Sequence, residues 1–108
     1  MNLKKIFDSY SKENFTGYSW TNDEFEKNYC SKDDAFRYSL LDRMKGDCEY
    51  YLGNGGKYAK YLWAGDEKDQ IKCMVSLWNS FEEKPEWISK KDIENYCEKI
   101  CGTSIENL

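Results

Sequence analysis

Three times along this chain a hydroxyl residue stands three positions ahead of a carboxylate, and a helically spaced apolar stripe follows each time. The pairs are Thr21 with Glu24, Ser31 with Asp34, and Ser89 with Asp92. Such a hydroxyl accepts from an orphan amide of the first helical turn, while the acid reaches back to the amide of the cap residue. Trp20 with Phe25 and Ile88 with Ile93 add hydrophobic staples, because the residue before a cap meets the fourth helical residue. Asp66 marks another start, with Glu67 and Asp69 placed favourably against the helix dipole. These signals commit the chain to short, capped helices.

The apolar spacing agrees. Leu3, Ile6, Phe7 and Tyr10 predict a first helix, and Phe25 with Tyr29 a short second one. Phe36, Leu40, Met44, Cys48 and Tyr51 predict a long third helix whose stripe is widened by Leu41 and Leu52. Ile71, Met74, Val75, Trp78 and Phe81 predict a fourth. Ile93, Tyr96, Cys97 and Ile100 predict a fifth, ended by Gly102 as a left-handed cap. Gly46 costs the third helix about 1 kcal/mol against Ala, and is read as a kink or a close helix contact.

Two stretches resist the helical pattern. Phe15 to Trp20 alternates aromatic and small residues, as a short strand does. In Gly53 to Gly65 the glycines forbid a helix through Gly56 and leave Lys57 to Trp63 extended. If both are strands, they pair. The expected fold is mainly α, a small irregular bundle of about five helices with at most one short β-hairpin, which would make it α+β. No repeat, low-complexity segment or linker divides residues 1–108, so a single domain is expected.

Composition narrows the function. Charged residues make up 33% and hydrophobic ones 40%, which suits a folded core rather than a disordered tail. Aromatics reach 17%, more than a core short of aliphatics needs, so some rings belong at the surface as binding groups. A net charge of −4 has the wrong sign for a general nucleic-acid binder. No apolar run is long enough to span a membrane, and Asp8, Lys12 and Glu13 break the signal-like start after Lys4 and Lys5. A cytoplasmic location is expected. Cys30, Cys48, Cys73, Cys97 and Cys101 form no Cys-x-x-Cys pair and read as reduced core thiols. Cys97 and Cys101 are at most half a zinc site, and the chain has no histidine to complete it.

The lack of histidine also removes the commonest general base. No nucleophile elbow or Walker loop occurs, and each carboxylate that can be placed is a cap, a first-turn charge or a solvated face. The chain is expected to work by binding, without catalytic residues, metal or cofactor. Two stretches have the composition for contact. Lys57, Tyr58, Lys60, Tyr61 and Trp63 interleave cations with rings, which suits phosphate contact plus base stacking. The same residues suit, rather better, a structured turn whose rings pack back on the bundle. Trp87, in the joint Pro85-Glu86-Trp87, is either an exposed anchor or a ring packed beside Ile88.

Four ordered motifs carry a family resemblance. They are Asp47-Cys-Glu-Tyr-Tyr-Leu-Gly-Asn-Gly-Gly56, Tyr61-Leu-Trp-Ala-Gly-Asp66, Leu77-Trp-Asn-Ser80 and Lys84-Pro-Glu-Trp-Ile88. Over residues 40–101 the chain resembles the large polyvalent protein-associated domains of phages, plasmids and conjugative elements. Residues 1–39 show no such match and are read as a specialising N-terminal part. The resemblance implies mobile-element context without catalytic residues. On that context we expect a protein-binding factor, such as an anti-CRISPR inhibitor, that blocks a host nuclease effector or its guide-RNA complex. Its acidic face would come from Asp23, Glu24 and Glu26, from Asp33 and Asp34, or from Glu82 and Glu83, with Trp87 as anchor, suited to a basic partner. The alternative is a nucleic-acid-binding accessory protein using the loop from Gly53 to Gly65.

Overall fold

The computed structural model describes residues 25–54 and 56–108. After a π-helical turn, Glu26–Cys30, come α1 (Asp34–Leu52), a 3-10 turn at Ala59–Tyr61, α2 (Glu67–Ser80), α3 (Lys90–Cys101) and a closing 3-10 turn, Ile105–Asn107. The expected third, fourth and fifth helices are therefore α1, α2 and α3. Of the second, the described residues hold helical Phe25 and the π turn after it, and the first, around Leu3 to Tyr10, lies outside the described residues.

The described residues contain no strand, which corrects the hairpin expectation at Lys57 to Trp63. Gly56 and Lys57 both take left-handed backbone, at φ 66° and 63°. They turn the chain back so that the Lys57 amide donates to the Tyr51 carbonyl at 3.2 Å. The segment then coils through Ala59–Tyr61 and drops Leu62 into the core, 3% exposed. Its suggested partner, Phe15 to Trp20, lies outside the described residues, as do Thr21 and its cap.

The remaining start signals act much as written. Ser89 and Asp92 form the full reciprocal box, at 3.1 and 2.9 Å, and Asp66 accepts from the Asp69 amide at 3.0 Å. Gly102 ends α3 at φ 70°. Ser31 is the exception. Its hydroxyl donates to the Lys27 carbonyl at 2.6 Å and closes the π turn, so Asp33 caps α1 instead, accepting from the Phe36 amide at 2.8 Å.

α2 is the centre of the molecule. It packs against α1, α3 and the π turn, and Cys73 through Trp78 are all buried. α1 covers it with Leu40, Leu41, Met44, Cys48 and Tyr51, and α3 with Ile93, Cys97 and Ile100. Phe36 departs from its expected stripe. It stands 42% exposed at the first turn of α1, its ring stacked 6.4 Å from Tyr29. Gly46 also differs from expectation: α1 runs unbroken through it, and a Cβ there would meet nothing within 4 Å. Cys48, Cys73 and Cys97 are buried free thiols, each pushed up to about 12 by burial. No helix among the described residues is long and apolar enough to cross a membrane.

Candidate functional site

At the C-terminal end of α1 the chain has to leave a helix, turn, and re-enter the core at Leu62. Gly53 ends the helix with its amide shared between the Glu49 and Tyr50 carbonyls, at 2.9 and 3.2 Å. That amide is therefore unavailable to an anion. The far half of the loop is tied down by two polar side chains. Asp47 accepts from the Trp63 amide at 2.9 Å, and Gln70 accepts from the Ala64 amide at 3.0 Å. Gln70 is fully buried and donates its own amide to the Met44 carbonyl at 3.2 Å, so it bridges α1, the loop and α2. Sequence reasoning missed both anchors. Each sits among apolar stripe residues, where a polar side chain adds no periodic signal. The one available hint was that Asp47 opens the first family motif.

The anchored loop brings two tyrosines beside a third near the end of α1. Tyr50, Tyr58 and Tyr61 are 46%, 60% and 42% exposed. Tyr50 meets Tyr61 edge-on at 5.3 Å, and Tyr58 meets it edge-on at 6.4 Å. The Lys60 ammonium lies over both loop rings, 5.6 Å from Tyr58 and 5.2 Å from Tyr61. Four of the five interleaved residues thus reach the surface together, since Lys57 is exposed beside them. Trp63 does not. It is half-buried, its ring edge-on to Phe25 at 5.9 Å and to Tyr29 at 5.2 Å.

A second candidate lies at the opposite end of α1, where it meets the joint after α2. The Arg37 guanidinium donates to the Ser80 carbonyl and hydroxyl at 2.8 and 2.9 Å, pairs with Asp34, and lies 4.6 Å over Phe81. Tyr38 stacks on Phe81 at 4.5 Å, and Trp87 tilts against Tyr38 at 6.3 Å. These groups and exposed Glu82 and Glu83 line or flank a cleft of about 440 Å³. The joint itself is held from within. Trp78 donates its indole N–H to the Ile88 carbonyl at 3.1 Å, and Lys84 reaches the carbonyls of Asn79 and Phe81. Burial draws the Lys84 ammonium below the usual lysine range. Trp78, not Trp87, is the ring packed across the joint. Trp87 is 40% exposed.

Of the expected acidic face, Asp33 and Asp34 are exposed but already employed, one as the α1 cap and one as the partner of Arg37. Asp23, Glu24 and the side chain of Glu26 lie outside the described residues. Among the described residues no cluster of three metal-ligating side chains occurs. Glu49 is held below the usual carboxylate range by its hydrogen bond from Lys45, which marks it as a helix ion pair rather than an acid.

The model of one family, large polyvalent protein-associated domain 11, matches residues 34–100. The chain belongs to that family. The match begins at the first residue of α1 and ends one residue before the end of α3, so the domain 11 module is the three-helix body itself. No curated protein and no solved structure matches the chain. Within this domain 11 chain the four sequence motifs hold both framework and exposed residues. Asp47 and the Trp63-Ala64 step anchor the loop, while Trp78, Lys84 and Ile88 build the joint. Tyr50, Tyr61 and Trp87 lie within those motifs and are exposed, and Tyr58 and Glu82 are exposed outside them.

Proposed function

We propose that this domain 11 chain is a protein-binding factor of a mobile element, acting as an anti-defence inhibitor that seats on a host nuclease effector such as a CRISPR protein. One observation carries the reading: an exposed tyrosine platform made by Tyr50 near the end of α1 with Tyr58 and Tyr61 on a loop pinned by Asp47 and Gln70. Tyrosine supplies large contact area at low entropic cost, and a loop already held in place loses little freedom on binding. The mobile-element context of the family supports the choice of partner by analogy alone.

The nucleic-acid reading has one observation in its favour, the exposed Tyr58–Lys60–Tyr61 cluster. Three features weigh against it. The Lys60 ammonium already lies over the Tyr58 and Tyr61 rings, Trp63 faces inward, and the chain carries a net charge of −4. The test is affinity purification from host lysate and against purified CRISPR effectors, comparing the native chain with Tyr58→Ala/Tyr61→Ala. A stable partner lost in the folded double variant supports the proposal. If no partner is retained while oligonucleotides are shifted at low salt, the nucleic-acid reading takes its place.

A further inference from the structure

The cleft at the other end of α1 is chemically different from the tyrosine platform, and its charge says what kind of group fits it. Tyr38, stacked on Phe81, is in its lining, and the Trp87 ring stands beside Tyr38 just outside it. Its rim is acidic. Asp34 is already neutralised by Arg37, whereas Glu82 and Glu83 are exposed and make no ion pair among the described residues. Lys84, the lysine of this joint, is turned onto the carbonyls of Asn79 and Phe81 and does not offset them.

The cleft already shows which cation it favours, because it holds one of its own. The Arg37 guanidinium sits 4.6 Å from the Phe81 ring centre while hydrogen-bonding to the Ser80 carbonyl and hydroxyl oxygens. A planar, weakly hydrated guanidinium can stack on a ring and bind a carboxylate together, which a compact ammonium does less well. We propose that this cleft docks an arginine-bearing basic segment of a partner protein. The guanidinium stacks on Trp87 and Tyr38 and pairs with Glu82 and Glu83. This rests on the reading of the chain as a protein-binding factor, and it gives that partner a basic contact surface.

The test is fluorescence anisotropy of the full chain with a labelled, glycine-spaced two-arginine peptide, alongside the same peptide carrying citrulline in place of arginine. The expected result is binding of the arginine peptide only. Glu82→Lys/Glu83→Lys should weaken it by roughly ten-fold or more, and Trp87→Ala should weaken it measurably. Glu94→Lys/Glu98→Lys makes the same change of net charge on the exposed face of α3 and should leave binding within about two-fold. Equal loss in both charge variants would mean diffuse attraction to an acidic chain and would overturn the proposal. So would unaltered binding in Glu82→Lys/Glu83→Lys, or self-association that competes for the cleft. Because the peptide assay does not involve Tyr58 or Tyr61, its failure is separable from failure of the effector pull-down.

Discussion

Trp63 and Trp87 differ little in sequence context, yet one is framework and the other is surface. Trp63 closes against Phe25 and Tyr29, and its amide is fixed by Asp47, whereas Trp87 touches Tyr38 with much of its ring in water. Trp63→Ala should therefore cost roughly 2 kcal/mol, read as a lowered urea midpoint, while Trp87→Ala should stay within about 0.5 kcal/mol. Equal costs would mean that the joint after α2 is packed differently from the arrangement described. Gly46 makes the opposite kind of prediction. It sits exposed in the middle of α1 with open space where a Cβ would go, so Gly46→Ala removes only chain entropy from the unfolded state. The variant should be about 0.5–1 kcal/mol more stable, raising the thermal midpoint by roughly 4 °C. At this scale the legible residues were those whose neighbours lie within a turn, such as Ser89 with Asp92. Ser31 was misread because its hydroxyl is taken by the residue four before it, a competition that a three-residue pattern does not contain.

At the scale of elements, three helices could be read from their stripes because each stripe faces a single packing surface over several turns. The boundaries of α2 and α3 followed for the same reason, being set by local caps. The loop between α1 and α2 could not be read, because what holds it is non-local. Asp47 and Gln70 bond to backbone amides 16 and 6 residues away, and neither distance leaves a periodic trace. The consequence can be tested by hydrogen exchange. Asp47→Ala leaves the half-buried Trp63 amide without its acceptor, at a cost of about 1–2 kcal/mol. Exchange should quicken for the amides of Trp63 through Gly65, while α3, held by its own box and core face, keeps its protection. Uniform loss of protection in all three helices would mean that Asp47 supports the whole fold rather than one loop. The same variant should weaken partner capture through the tyrosine platform without altering Tyr58 or Tyr61.

For the molecule as a whole, the core's chemistry sets an alkaline limit. α2 is buried on three sides, and the space between the helices is filled partly by thiols rather than by larger aliphatics. Cys48, Cys73 and Cys97 are each no more than 4% exposed, and burial raises each from 9.0 to about 12. In the unfolded chain these thiols ionise near 9, whereas in the folded chain they stay protonated until about 12. The unfolded state therefore binds fewer protons throughout that window, and stability must fall as pH rises through it. The stabilising effect is complete below pH 9 and is lost on the way to 12. Tyr96, also raised to about 12, acts in the same direction, while Lys84, lowered by burial, opposes it modestly. A domain of ordinary stability, about 5–15 kcal/mol, should then unfold cooperatively within a few pH units above 9. Urea midpoints taken from pH 8 to pH 11 under reducing conditions should fall steadily, and Cys48→Ala should flatten that fall while lowering the starting stability. A midpoint that holds level to pH 11 would mean that the thiols meet water in the folded state, and that the helices pack less tightly around α2 than their buried faces imply.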